Sequence, residues 1–212
     1  MLENFIANLI NFKINKIYTQ NVKKLGFTAH GVFWNSKFNQ TKRFRELLKF
    51  INCKKNEKLK IADIGCGYGA LYEFLVQEKI INNFEYYGYD INKIFVDFCK
   101  SRFKGDIFFE GNKPNKIVDF CLMSGTYNFA IGNSIRLWNS YIINNIKECL
   151  NFSKIGIVFN IQFSNHECIV NSIYYSNPNN LKKKLQKLNL VVNVYDSNFF
   201  KRDKIFVLVK KS

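Results

Sequence analysis

Residues 61–70, which read IADIGCGYGA, constrain the fold of this chain more than any other stretch. A short apolar run ends at Ile64, glycines follow at 65, 67 and 69, and apolar residues then recur at helical spacing from Leu71. Glycines allow a sharp turn between a strand and a helix, and they let a ligand approach bare backbone at the helix N-terminus. The stretch therefore predicts a strand, a ligand-binding turn and a helix.

The segments that follow predict an α/β fold. Short apolar runs predict strands near 60–64, 85–90, 106–110, 117–123 and 155–162, and helical spacing falls on 70–80, 91–103, 137–150 and 181–188. The runs at 190–196 and 204–210 are separated by a short polar loop and predict a hairpin. We expect a doubly wound, mostly parallel seven-stranded sheet with an antiparallel C-terminal hairpin strand.

The first fifty residues predict helices that cover this sheet. Apolar residues from Leu2 to Ile17 recur at spacings of three and four, with Asn and Lys between them. The 212-residue chain has only two prolines and no Gly/Ser-rich linker. We expect one domain over 1–212, with a helical N-terminal lid at 1–55 and the α/β core at 56–212.

The composition predicts the cellular compartment of the protein and the state of its cysteines. No run of 18 or more apolar residues occurs, and Glu3 stands where a secretory signal carries positive charge, which predicts a cytoplasmic protein without a membrane span. Cysteines 53, 66, 99, 121, 149 and 168 are scattered without a C-x-x-C pair. Reduced structural thiols and no metal site are expected.

The formal charge of +16 favours an anionic partner. Thirty-two Lys and Arg face sixteen acids, but the basic residues are spread along the chain, and an AT-rich genome produces the same mixture of Lys, Asn, Ile and Phe. A small anionic molecule is therefore favoured as partner, and nucleic acid stays open as the alternative.

Asp63 decides which cofactor the glycine turn suits, whereas Asp90 suits both. Gly65, Gly67 and Ala70 also satisfy the dinucleotide pattern, but Asp63 beside a pyrophosphate would repel it by roughly 4 kcal/mol at about 4 Å. The same carboxylate attracts the ammonium of S-adenosylmethionine, which carries no phosphate. Asp90 ends the second predicted strand, where a carboxylate can bind both ribose hydroxyls.

In this order, these features resemble class I, Rossmann-like S-adenosylmethionine-dependent methyltransferases over nearly the whole chain. The resemblance implies S-adenosylmethionine as cofactor and S-adenosylhomocysteine as product. It also implies a set of cofactor-binding residues: Asp63, Gly65, Cys66, Gly67 and Gly69 in the turn, Asp90 at the ribose, Ile91 beside the adenine, and Asn112 in place of the acid that often receives the adenine amino group.

Three further stretches are similar to a less characterised bacterial branch of these enzymes. They read W-x-S-x-x-x-Q-x-x-R-F from residue 34, S-G-T-Y-N from residue 124, and Y-Y-x-x-P from residue 174. They imply further cofactor-binding residues, namely Trp34, Gln40, Arg43, Ser124, Gly125 and Asn128. Arg43 is a candidate to hold the donor carboxylate, although a surface arginine fits the same helix.

Catalytic candidates are few, since methyl transfer needs alignment first and a base only where the acceptor must lose a proton. His166 follows the fifth predicted strand and is the first candidate for a general base, with an exposed loop histidine as the alternative. Tyr127 lies in the turn after the fourth strand and is the second. His30 lies in a segment expected to fold over the donor.

The acceptor is predicted from charge and from missing motifs. The turn after the fourth strand reads SGTY rather than the proline-containing turn of enzymes that methylate exocyclic base nitrogens, and Cys121 follows Phe120 rather than proline. We therefore expect O-methylation rather than N-methylation of a small anionic acceptor, such as a nucleotide-linked or phosphorylated precursor of a surface glycan. An RNA methyltransferase and a non-catalytic S-adenosylmethionine-binding module are the alternatives.

Overall fold

The molecule is built around a seven-stranded sheet. The computed structural model describes residues 2–51 and 57–211, with side chains from residue 5 onward. The strands are β1 (Leu59–Ile64), β2 (Phe84–Asp90), β3 (Phe108–Glu110), β4 (Val118–Met123), β5 (Ser153–Gln162), β6 (Cys168–Val170), β7 (Ile173–Tyr175), β8 (Leu190–Asp196) and β9 (Asp203–Lys210). The main sheet has the order β3-β2-β1-β4-β5-β9-β8, and β6 and β7 form a separate hairpin.

The pairing confirms the predicted fold class. The five strands β1 to β5 pair in parallel, and β9 runs antiparallel to both β5 and β8. The antiparallel strand therefore lies one position in from the edge, and the edge strand β8 has the direction of the first five. A right-handed α/β layout of this kind brings the carboxyl ends of β1, β2, β4 and β5 to one edge, where ligands bind in open sheets.

Within residues 2–51 and 57–211, six α-helices cover the two faces of the sheet. They are α1 (Leu2–Leu25), α2 (Lys37–Leu48), α3 (Ala70–Gln77), α4 (Lys93–Arg102), α5 (Ile135–Leu150) and α6 (Pro178–Gln186), with short 3₁₀ helices at His30–Val32 and Ile81–Asn83. The side chains of Ser36, Asn92, Ser134 and Asn177 accept hydrogen bonds from backbone N–H groups in the first turns of α2, α4, α5 and α6. These caps explain why the helices begin at those residues.

Strand β1 separates two hydrophobic cores. Ala62 and Ile64 belong to the core formed with Trp138 and other residues of α5, whereas Ile61 belongs to the core formed with Phe74 of α3. Because alternate residues of a strand point to opposite faces, a strand buried on both faces reads as a continuous apolar run. This is the run that the sequence shows before the glycine turn.

The N-terminal helices lie over the carboxyl edge of the sheet. Asn15 Nδ2 donates to the Ile91 carbonyl at 3.0 Å, Asn92 Nδ2 donates to Thr19 Oγ1 at 3.0 Å, and the Tyr141 hydroxyl donates to Asn11 Oδ1 at 2.7 Å. Helix α1 is thereby bonded to the segment after β2 and to α5. None of the described helices combines the length and the apolar character that crossing a bilayer requires.

The structure differs from the sequence predictions at the β6–β7 hairpin and at the start of β3. Two further predictions concern residues that the structure does not describe. The β6–β7 hairpin has strands of three residues, which are too short to show an alternating pattern, and it was not predicted. Strand β3 begins at Phe108 rather than at 106. The predicted boundary between residues 55 and 56, and Cys53, lie outside the described residues. The five described cysteines are free thiols, and four of them are buried.

Candidate active site

A cavity of about 460 Å³ lies at the carboxyl edge of the sheet, beneath α1 and the start of α2. Thirteen of the residues predicted to bind the cofactor line it. They are Trp34, Gln40, Arg43, Asp63, Gly65, Cys66, Gly67, Asp90, Ile91, Asn112, Ser124, Gly125 and Asn128. The cavity therefore brings together residues from five separate segments of the chain.

The glycine turn forms the floor of the cavity. The N–H groups of Gly65 and Cys66 both donate to the Tyr89 carbonyl, at 2.7 and 3.0 Å, which ties the turn to the end of β2. Gly67 has φ +54°, a backbone conformation that side chains disfavour. A Cβ at Gly65 would lie 3.1 Å from the Thr126 side chain. A side chain would therefore be crowded at Gly65 and strained at Gly67.

Asp90 is the carboxylate most tightly held in the cavity. Its Oδ2 accepts from the Gly67 N–H at 2.8 Å, and its Oδ1 accepts from the Asn92 N–H at 2.8 Å. Burial raises the pKa of Asp90 to about 6, and the two backbone hydrogen bonds oppose part of that shift. A carboxylate has about four acceptor positions, so each oxygen can still accept one hydroxyl from a ligand.

Asp63 is the second buried carboxylate. The Tyr86 hydroxyl donates to its Oδ2 at 2.8 Å from the neighbouring strand. Burial raises the pKa of Asp63 to about 7, the hydrogen bond from Tyr86 opposes the shift, and the negative charge of Asp90 adds to it. Two buried carboxylates at one site favour a ligand that carries positive charge.

Trp34 packs closely on the turn after β4. A Cβ at Gly125 would lie 2.7 Å from Cζ2 of the indole, so only glycine permits this contact. The Gly125 N–H donates to Asn160 Oδ1 at 2.9 Å, which fixes the turn to β5. Next to it, the buried Ser124 hydroxyl has no hydrogen-bond partner in the described part of the chain. A buried hydroxyl without a partner at a cavity wall points to a polar ligand atom.

Arg43 belongs to a buried network at the other end of the cavity. Its Nε donates to Asp203 Oδ2 at 2.5 Å, and Asn160 Nδ2 donates to the same oxygen at 3.2 Å. The guanidinium carbon lies 3.7 Å from the ring centre of Phe200 and 4.9 Å from that of Trp34. The ion pair and the two rings hold Arg43 in one orientation at the cavity wall.

Three aromatic rings join the N-terminal segment to the loop after β4. The centre of the Tyr18 ring lies 5.0 Å from that of Phe33 and 5.6 Å from that of Phe129, and Phe33 stacks on Phe129 at 4.9 Å. Burial and the nearby Asp90 raise the pKa of the Tyr18 hydroxyl. All three residues line the cavity and contribute aromatic surface to its wall.

Four predicted residues lie outside the cavity lining. Tyr127 is fully buried and donates to Asn145 Oδ1 at 2.8 Å, because its side chain points into the core beneath the turn. His166 is exposed in the loop between β5 and β6. His30 is exposed at the start of a 3₁₀ helix. Gly69 is the N-cap of α3, where a Cβ would lie 2.6 Å from Phe103.

Several cavity residues were not found by sequence reasoning. Asn15 and Tyr18 come from α1, Phe129 follows β4, Gln162 ends β5, and Phe200 lies in the β8–β9 loop. The one available signal was in α1, where Asn15 and Tyr18 interrupt an otherwise apolar stripe. Asn15 Oδ1 is buried without a hydrogen-bond partner among the described residues and is a second polar atom available to a ligand.

No protein-family model matches the chain, and no curated protein sequence matches it. Solved structures do match. A S-adenosylmethionine-dependent methyltransferase from Leishmania major aligns with a TM-score of 0.68 and 13% identity, over 91% of this chain and 82% of that one.

Two further matches were solved with S-adenosylmethionine bound. The glycopeptide N-methyltransferase MtfA has a TM-score of 0.61 and 9% identity, over 81% of this chain and 94% of that one. The magnesium protoporphyrin IX methyltransferase of Synechocystis has a TM-score of 0.54 and 12% identity, over 82% and 79%.

The chain therefore has the class I, Rossmann-like fold of S-adenosylmethionine-dependent methyltransferases, as the sequence predicted. The acceptors named for the two proteins just described, a glycopeptide and a metalloporphyrin, differ widely. The fold thus does not identify the acceptor, which depends on the residues of the site.

Proposed function

We propose that this protein is an enzyme that binds S-adenosylmethionine in the cavity and transfers its methyl group to an oxygen of a small carboxylate acceptor. The observation that carries the donor half of the proposal is the contact between Asp90 and the Gly67 N–H at 2.8 Å. It joins a ribose-binding carboxylate directly to the glycine turn. The class I fold and the cavity at the carboxyl edge of the sheet support the same donor.

The residues of the cavity fit this donor. Asp90 would accept the two ribose hydroxyls, and Asp63 would face the ammonium of the methionine end. The hydroxyl of Ser124 and Oδ1 of Asn15, both buried without partners in the described chain, would bind further polar atoms of the donor. Asn112 would accept from the adenine amino group. Bound in this way, S-adenosylmethionine supplies an electrophilic methyl group on a sulfonium.

The acceptor end of the cavity favours an anion that needs no base. Within the described part of the chain, the cavity is lined by no histidine, and Arg43 is its only Lys or Arg. Both lining carboxylates are assigned to the donor, Asp90 at the ribose and Asp63 at the ammonium, so neither is left to act as a base on the acceptor. An ionised carboxylate is an oxygen nucleophile that has no proton to lose, so it can be methylated in a cavity whose described lining offers one arginine and no general base.

Arg43 is positioned to bind such an acceptor. Asp203 uses its Nε, and Nη1 makes only a 3.4 Å contact with the Asn39 carbonyl. The terminal nitrogens are therefore available for a carboxylate, which Arg recognises in a planar, bidentate manner. In the reaction, the acceptor oxygen forms a bond to the methyl carbon while the carbon–sulfur bond breaks, and the electron pair stays on sulfur. No proton is transferred.

This proposal keeps an anionic acceptor and O-methylation from the sequence analysis. It drops His166 and Tyr127 as bases, and it assigns Arg43 to the acceptor instead of the donor carboxylate. The expected surface-glycan precursor stays a prediction that no contact in the cavity favours. RNA methylation and donor binding without turnover stay as the alternative functions. The charge of +16 does not decide among them, since a single arginine carries positive charge in the described cavity lining.

The test is methyl transfer from isotopically labelled donor to a panel of carboxylic acids, phenols and amines. Methyl esters release labelled methanol in mild base, whereas methyl ethers and methylamines do not. We expect base-labile label that requires Arg43, so that Arg43→Lys lowers kcat/KM by at least about tenfold, because Lys loses the bidentate geometry. Arg45→Lys is the matched control, since Arg45 lies on the same helix but is exposed and paired with Glu78. Base-stable label would refute the carboxylate acceptor, and tight donor binding without transfer would support the binding-only alternative.

A further inference from the structure

The outer face of α2 carries a second surface feature beside the mouth of the cavity. Phe38 is 63% exposed, and Phe199 of the β8–β9 loop is 46% exposed. The ammonium of Lys42 lies between them, 4.3 Å from the ring centre of Phe38 and 4.5 Å from that of Phe199. We call Phe38, Lys42, Lys49 and Phe199 the α2 patch. Large apolar rings on a solvent-facing surface, arranged around a cation, call for a ligand that offers both a flat face and negative charge.

The loop that carries Phe199 is fixed in place. Glu46, a buried residue of α2, accepts from the Ser197 hydroxyl and from the Asn198 N–H, both at 2.6 Å. The Phe199 and Phe200 N–H groups then donate to the Ser197 oxygen at 3.2 and 2.9 Å. The ring of Phe199 is thereby held over α2 before any ligand arrives, which lowers the entropic cost of stacking on it.

The charge around the patch is positive. Lys49 Nζ lies 6.0 Å from the Phe199 ring centre, and Lys201 and Arg202 are exposed in the same loop. None of Lys42, Lys49, Lys201 and Arg202 makes an ion pair with an acid among residues 2–51 and 57–211. The nearby carboxylate of Glu46 is buried and already accepts two hydrogen bonds. The patch and its loop therefore carry four Lys and Arg side chains without an ion pair among the described residues, against the one buried carboxylate of Glu46.

We infer that the α2 patch binds single-stranded nucleic acid, with bases stacked on Phe38 and Phe199 and phosphates beside Lys42 and Lys49. Exposed aromatic rings interleaved with basic side chains are the means by which proteins hold single strands without reading their sequence. The overall charge of +16 strengthens the electrostatic attraction. Rings that are already fixed beside cations match the alternation of flat bases and phosphates along a single strand.

The patch is continuous with the cavity, although the inference does not rest on methyl transfer. Phe200, next to Phe199, lines the cavity and packs on Arg43, and Asn39, next to Phe38, lines it as well. A strand on the α2 patch would therefore hold any group attached to it at the cavity mouth. Binding itself needs no donor and can be measured without one.

The test is fluorescence anisotropy with a labelled polyuridine strand of about twelve nucleotides, within the size range that single-strand sites cover. We expect binding that weakens with salt, and Phe199→Ala should weaken it about fivefold or more, as loss of one base–aromatic stack does. Lys42→Gln should reduce the slope of log K against log salt by roughly 0.7, the value for one phosphate contact. A DNA strand of matching length should bind similarly, and a duplex should bind less tightly because its bases are already stacked.

Two control variants separate the patch from general charge. Phe12→Ala removes a ring that is 68% exposed on α1, and Lys183→Gln removes a charge on α6. Both should leave binding unchanged, and thermal melting of every variant checks that it folds. The inference is overturned if patch and control variants lose affinity equally, if no single strand binds at about 0.1 M salt, or if anionic vesicles bind more tightly than the strand and compete it off.

Discussion

Replacement of Asp90 by Asn tests how the donor is held. In the wild type, both carboxylate oxygens accept a backbone N–H at 2.8 Å, from Gly67 and from Asn92. The amide that replaces the carboxylate has one oxygen, so one of these N–H groups would face an NH₂ group. The charge that strengthens the ribose contacts would also be gone.

The expected loss follows from these contacts. A hydrogen bond to a charged group contributes about 1.5 to 3 kcal/mol, and about 1.4 kcal/mol is tenfold in affinity. Loss of one such contact to the ribose should therefore raise the Kd for S-adenosylmethionine by roughly 10- to 100-fold. Isothermal titration calorimetry at pH 8 measures this while the carboxyl groups are ionised. Asp97→Asn, at an exposed residue paired with Lys93, is the control and should leave the Kd unchanged.

The pH dependence gives a second view of the same carboxylate. If the ribose hydroxyls donate to the ionised form, as proposed, the donor should bind best above the pKa of Asp90 and more weakly as pH falls through about 6. The Asp90→Asn variant should retain only the change near pH 7 that comes from Asp63. A variant that binds the donor within twofold of wild type, with an unchanged pH profile, would refute the assignment of Asp90 to the ribose.

Three other predictions address the cavity and its surroundings. Gly125→Ala should lower both activity and stability, the latter by about 1 to 3 kcal/mol, because the new methyl group meets the indole that packs there; Gly132→Ala, at the same positive φ but with open space around it, should cost less in chemical denaturation and leave activity intact. The ligand-free protein should lose stability as pH rises from about 4 to 7, since burial raises the pKa of both aspartates in the cavity and the folded state then holds protons that the unfolded state has released; melting temperatures that rise over this range would contradict it. His166→Ala should leave kcat/KM unchanged, whereas Tyr127→Phe should lower the free energy of unfolding by about 1 kcal/mol through its lost hydrogen bond; a large fall in kcat/KM for the histidine variant would return it to the site.

The sequence predicts the parts of this fold that depend on local pattern. Strand β1 is buried on both faces, so its apolar run and the glycine turn after it can be identified without a structure. The proximity of Asp63 and Asp90 can be predicted from that placement, because parallel strands bring their carboxyl ends to one edge of the sheet. The β6–β7 hairpin could not be identified in the same way, since three-residue strands carry no periodic signal.

The local sequence pattern does not determine in which direction the side chains point in the turn that follows a strand. Tyr127 and Asn128 are adjacent in the turn after β4, yet the tyrosine is packed in the core while Asn128 lines the cavity. His166 has the expected position along the chain, but the loop after β5 carries it to the surface. Phe200 enters the cavity from the C-terminal hairpin because Glu46 holds that loop, a contact across about 150 residues that no spacing reveals.

Calorimetric titration of the purified protein with S-adenosylmethionine, S-adenosylhomocysteine and NAD tests directly whether the cavity binds the methyl donor. Asp90 could hold the ribose of any of these ligands, but the buried Asp63 predicts binding of the first two and none of NAD, whose pyrophosphate would lie beside its carboxylate. Preferential binding of NAD would contradict this assignment, since the glycine turn would then hold the ligand that Asp63 is expected to exclude.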